Sequence, residues 1–111
     1  MYILKFLSIL WHTTFHKEDT MEFIRQENRI YAENDAGKVI AEVTFPQENN
    51  STVCLDHTFV DNSLRGQGVA GKLVKEVVDY AQKNGKKIRP QCSYAADWFN
   101  KHSEYADLVA H

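Results

Sequence analysis

A chain of 111 residues, 43% hydrophobic and 25% charged, has the make-up of one globular domain with little room for a second. Its 13 basic and 15 acidic residues leave a formal charge of −2, which excludes the basic field of a nucleic-acid binder and the like-charge block of a solvated tail. Cys54 and Cys92 have neither metal-ligand spacing nor disulfide-scaffold density, so both read as thiols of a reducing, cytoplasmic compartment with no metal.

The chain opens on "MYILKFLSILWHTTFHKEDT". The apolar run Met1–Trp11 is too short for a bilayer, which needs about 20 apolar residues. Lys5 lies inside it and no small-x-small cleavage site follows, unlike a signal peptide. Residues 1–20 are therefore expected to be a disordered or loosely docked extension, and residues 21–111 the domain, with no integral membrane segment.

From Glu22 to Val60 the pattern alternates and is rich in β-branched and aromatic residues. "FIRQEN" and "RIYAEN" read as short strands, and "NDAG" as a turn, because Asn and Gly tolerate positive φ. "KVIAEVTF" sets Val39, Ala41, Val43 and Phe45 on one face, and Pro46 with "QENNS" reads as the next turn. "TVCLDHTFV" reads as one strand with Val53, Leu55, His57 and Phe59 on one face, completing an antiparallel meander. At Asn62 the period changes: Leu73, Val77 and Tyr80 recur at helical spacing, flanked by Val74, Val78 and Ala81. Lys75 and Asp79 are spaced to pair on the exposed face, and Gly85 closes the helix. "KKIRPQC" reads as a fifth strand at a sheet edge and "YAADWFNKH" as a second helix, with Ser93 its expected N-cap and Trp98 and Phe99 in the core. The order implies an α+β sandwich of one sheet with helices packed on it; it leaves the oligomeric state open.

"SLRGQGVAGKLV" puts Gly66, Gly68 and Gly71 at the start of this helix, although each glycine inside a helix costs about 1 kcal/mol against alanine. Between a strand and a helix, glycines let the backbone approach a ligand closely. Free N–H groups and the positive dipole end then form an anion site, and Arg65 adds a charged donor at its rim. The structural alternative is a tight loop at Gly66 and Gly68, with Gly71 allowing close helix–strand packing. The triphosphate-loop pattern G-x-x-x-x-G-K-[ST] is absent, and an antiparallel meander rather than an early βαβ unit precedes the glycines, which argues against a dinucleotide fingerprint.

The pattern that fits is R-x-x-G-x-A, carried by Arg65, Gly68 and Ala70. With it, "FVDNSLRGQGVAGKLVKEVVDYAQKNG" resembles the acetyl-coenzyme A motif of the GNAT N-acetyltransferase superfamily, and the likeness extends from about Glu22 to His102. "LDHTFV" and "IRPQCSYAADWFNKH" resemble a compact single-domain subfamily with a His-Thr-x-Val strand and a Pro-x-Cys segment. The resemblance implies acetyl-coenzyme A as co-substrate. It implies that backbone N–H groups of Gly66, Gln67, Gly68, Val69 and Ala70 hold the pyrophosphate. It also implies a bulge near Phe59 and Val60 that aims an N–H at the thioester carbonyl, and a splayed "KKIRPQC" strand that admits the pantetheine arm beside Cys92.

Acyl transfer to an amine needs a base, an oxyanion donor and a proton for the leaving thiolate. His57 is either a general base or a hydrogen-bonded histidine on a buried face. Cys92, before a helix N-terminus, is either a nucleophile carrying an acetyl-enzyme or a small residue lining the slot. Tyr94 is either a proton donor or core packing. Three functions follow: an N-acetyltransferase with an unidentified amine acceptor, a non-catalytic coenzyme A-binding module, or an interaction domain whose glycines are purely structural.

Overall fold

The computed structural model describes residues 21–111; the extension expected over residues 1–20 lies outside the described residues. Alternating apolar residues build strands β1 (Ile24–Gln26), β2 (Arg29–Glu33) and β3 (Val39–Thr44), with Ile30, Ala32, Ala41, Val43 and Phe45 buried. The chain continues through β4 (Gln47–Asn49), β5 (Thr52–Leu55) and β6 (His57–Val60). After a 3-10 turn at Asn62–Leu64 come α1 (Val69–Asn84), β7 (Lys87–Pro90), α2 (Ser93–Lys101) and a 3-10 segment at Ser103–Leu108.

The strands form two sheets rather than the one expected. β1-β2-β3-β6 is antiparallel throughout, whereas β4-β5-β7 joins an antiparallel pair to the parallel pair β5-β7. "QEN", expected as turn, is strand β4, and "TVCLDHTFV", expected as one strand, is β5 and β6. The two sheets are joined through one hairpin. The Cys54 N–H donates to the Pro46 carbonyl at 2.8 Å and the Asp56 N–H to the Thr44 carbonyl at 3.3 Å, yet His57 is the registered partner of Thr44. Asp56 and His57 thus both oppose Thr44, a β-bulge of one extra residue. Side chains before it, Val53 and Leu55, face the core; after it the phase is reversed, so His57 and Phe59 face solvent.

Helix α1 lies across the inner face of this assembly. Leu73, Val74, Val77, Val78 and Ala81 are fully buried there, each Leu or Val contributing about 1.5–3 kcal/mol of apolar burial. Gly85, at φ +65°, ends the helix as expected, and Lys75 pairs with Asp79 at 2.7 Å. Arg25 ties the edge strand β1 to Glu76 of α1. Trp98 and Phe99 bury α2 against the same core. The outer edge of β7 is occupied by the chain itself: Val109 bridges Ile88 in parallel, and the Ala110 N–H donates to the Ile88 carbonyl at 2.8 Å.

Candidate active site

The joined sheets part at one point. β5 and β7 run parallel as far as Leu55 beside Pro90, and proline, lacking an N–H, ends the ladder. There the Leu55 carbonyl accepts from both the Gln91 N–H (3.0 Å) and the Cys92 N–H (3.1 Å). Beyond this vertex β6 pairs with β3 alone, while residues 91 and 92 turn into α2. The splay expected of "KKIRPQC" is therefore present, and it leaves one edge of β6 open.

An antiparallel ladder alternates bonded and non-bonded pairs. The Asp61 N–H donates to the Ile40 carbonyl at 2.8 Å, so Phe59, two residues earlier, also turns its N–H toward β3. Thr58 and Val60 then direct theirs to the open edge. The donor expected from the Phe59–Val60 region is thus Val60, not Phe59, whose ring is 39% exposed on the outer face. The expected bulge also lies earlier, at Asp56 and His57.

The glycine stretch leads from β6 to α1 across the mouth of this cleft. Gly66 and Gly68 have φ of +81° and +70°, the left-handed region that side-chain-bearing residues rarely adopt, and a Cβ at either would meet nothing within 4 Å. Gly68 is the N-cap of α1 and supplies no side-chain acceptor. The Lys72 N–H donates to the Gly68 carbonyl at 3.2 Å, so the N–H groups of Val69, Ala70 and Gly71 precede the first helical bond. No acidic residue stands in this first turn to compete for them. Gln67 departs from expectation: its N–H is spent on the Leu64 carbonyl at 3.3 Å. Arg65 Nε donates to Asn62 Oδ1 at 2.9 Å, which holds the guanidinium at the turn. Gly71 faces α2 rather than a strand, and a Cβ there would lie 3.5 Å from both Tyr94 OH and Trp98 Nε1, ordinary contact distance, so the packing does not require the glycine expected to permit it.

Cys92 is itself the N-cap of α2, in place of the expected Ser93: its Sγ accepts the Ala95 N–H at 3.4 Å. Thr58 Oγ1 lies 3.4 Å from the same sulfur, across the cleft from β6. Tyr94 is 41% exposed rather than core, and partial burial raises its hydroxyl above the ordinary tyrosine range, keeping it protonated. The face reading of His57 is overturned. It stands on the outer side of β6, half exposed, with Nε2 3.4 Å from Glu42 Oε1. Glu42 is held in turn by Arg29, whose guanidinium carbon sits 3.8 Å from the Tyr31 ring centroid. His57 and Cys92 therefore occupy opposite sides of β6 and form no thiol–imidazole pair. Cys54 lies near the vertex, its thiol donating to Gln91 Oε1 at 2.7 Å, and burial foremost, then Asp56 and Glu48, pushes it up from the ordinary thiol range.

The GCN5-related N-acetyl-transferase family model matches residues 29–108, which takes in both strands of the cleft, the glycine turn and α2. The chain belongs to the GCN5-related N-acetyltransferase family. The solution structure of a GCN5-like protein from Staphylococcus aureus shares 36% identity with this acetyltransferase at a TM-score of 0.70, covering 83% of this chain and 90% of that one. An acetyltransferase from Bacillus cereus shares the fold at 20% identity and a TM-score of 0.52, over 91% of this chain and 73% of its own. A family member from Elizabethkingia anophelis, solved with acetyl-CoA bound, shares the fold at 18% identity and a TM-score of 0.50, over 68% of this chain and 51% of its own. No curated protein matches significantly. Among the described residues of the acetyltransferase, no helix is long and apolar enough to cross a membrane. Thr58 and Glu42 are the site neighbours that sequence reasoning missed. Neither has a local signal, because their partners Cys92 and His57 meet them only through the bulge and the β3–β6 register.

Proposed function

We propose that this acetyltransferase moves an acetyl group from acetyl-coenzyme A to an amine acceptor, a small molecule or a protein, with Cys92 as the acyl carrier. The observation that carries the reading is the turn of left-handed glycines, which opens a helix N-terminus beside the open edge of β6. The residues fit a pyrophosphate: Gly66 and Gly68 carry no Cβ into open space, the N–H groups of Val69, Ala70 and Gly71 precede the first helical bond, and Arg65 stands at the turn. The pantetheine arm would lie in the splay, where the Val60 N–H is a donor for the thioester oxygen as charge develops on it.

In this reading Cys92 Sγ attacks the thioester carbon. The new S–C bond forms as the bond to the coenzyme A sulfur breaks, and Tyr94 gives that sulfur its proton. The proton lost by the Cys92 thiol restores Tyr94. The acceptor amine then displaces the acetyl group from Cys92, and the proton it loses restores the Cys92 thiol; His57, held by Glu42 on the outer side of β6, does not reach this step. The two free thiols support a cytoplasmic setting.

Calorimetric titration with coenzyme A and acetyl-coenzyme A tests the reading. Wild type is expected to bind both, and Gly68→Glu to lose binding while still folded, because its carboxylate enters the space where the phosphates sit. Gly68→Asn, uncharged and tolerant of the left-handed region, is expected to retain binding in part. Failure of well-folded wild type to bind would remove the donor from the site.

A further inference from the structure

We propose that Thr58 is a positioning residue that holds the Cys92 sulfur in its attacking position; this rests on the reading of Cys92 as acyl carrier. The bulge at Asp56 and His57 is what brings Thr58 there. Were the pairing of β5 with the preceding strand continued into β6 without a bulge, His57 would oppose Val43 and face the cleft, and Thr58 would face solvent. With it, Thr58 Oγ1 meets Cys92 Sγ at 3.4 Å from one wall of the cleft, while the Ala95 N–H reaches the same sulfur at 3.4 Å from the other. The two partners differ in kind. The Ala95 N–H is fixed by the first turn of α2 and can only donate. The Thr58 hydroxyl turns about its C–O bond, accepting S–H from the thiol and donating O–H to the thiolate.

A hydrogen bond to an ionised partner is roughly twice as strong as its neutral counterpart. Thr58 can therefore keep its hydrogen bond to Sγ as the attack proceeds, and it confines Sγ to the side of the cleft where the thioester carbon must arrive. Attack forms the S–C bond of acetyl-Cys92 and breaks that of the thioester, and the coenzyme A sulfur takes its proton as described. Thr58 exchanges no atoms in the step.

The test compares wild type with Thr58→Val, of the same shape without the hydroxyl, and with Thr58→Ser, which restores it. Cys92 alkylation by iodoacetamide at one neutral pH is resolved from that of Cys54 by peptide mass, so Cys54 is an internal reference. Acetyl-Cys92 formation from acetyl-coenzyme A is followed by intact mass. Thr58→Val is expected to slow both reactions at Cys92 by about tenfold, to leave Cys54 alkylation and coenzyme A affinity unchanged, and to be rescued by Thr58→Ser. Alkylation of Cys92 at the wild-type rate in Thr58→Val, or no rescue by serine, would overturn the proposal. Cys92→Ala separates the underlying reading: if it releases coenzyme A at the wild-type rate, the carrier role fails, while alkylation still reports on Thr58.

Discussion

Three glycines stand within six residues at the foot of α1, but they are there for different physical reasons. Gly66 and Gly68 are required by backbone angle, since the space beside each is open and the φ is positive. Gly71 has ordinary helical φ and sits against Tyr94 and Trp98 of α2. A methyl group at 3.5 Å from their polar tips is in normal van der Waals contact, so the cost of glycine in a helix is not offset by any clash it avoids. Gly71→Ala is therefore expected to raise stability by about 0.5–1 kcal/mol, read as an upward shift in thermal unfolding. Gly68→Ala is expected to lower stability, because alanine cannot adopt the left-handed region without strain.

At the level of elements, short turns orient the site more than the long helix does. The 3-10 turn at Asn62–Leu64 begins at Asp61, whose Oδ2 accepts the Ser63 hydroxyl at 2.6 Å and the Ser63 N–H at 3.0 Å, with Lys38 at 3.9 Å. The Ser63 hydroxyl bond, foremost, lowers this carboxyl from its ordinary value. A folded-state value below the unfolded one means that the stabilisation is fully present above the unfolded value, about 3.9, and is lost as pH falls through the folded one. The stability gap between wild type and Asp61→Asn, from chemical denaturation at neutral pH, is thus expected to shrink as the measurement moves to about pH 3. A gap independent of pH would mean that the carboxylate charge contributes nothing to the turn. The bulge acts similarly on its own strand, since one added residue decides that His57 is presented to solvent and Thr58 to the cleft.

Across the whole molecule, legibility follows the range of the interaction. Helix α1 with its buried Leu73, Val77 and Ala81, the strands around Ile30 and Val43, and the left-handed glycine turn are written in local period and residue type, and all were readable. β4 was not, because Gln47 and Asn49 are polar and are strand only through backbone pairing with β5. Nor was the face of His57: the alternation runs on unbroken through Asp56, and the inserted residue shows only against Thr44 on the neighbouring strand. The meeting of Thr58 with Cys92, 34 residues later, likewise depends on where two strands diverge. Val109 and Ala110 were equally silent, yet they occupy the backbone groups on the outside of β7. Deleting residues 109–111 would leave that ladder ready to recruit a strand from a second molecule. The truncated protein is then expected to self-associate and aggregate on concentration, as sedimentation velocity would show, whereas the full chain would not change in size. Three residues at the far end of the chain would thus act as its guard against polymerisation.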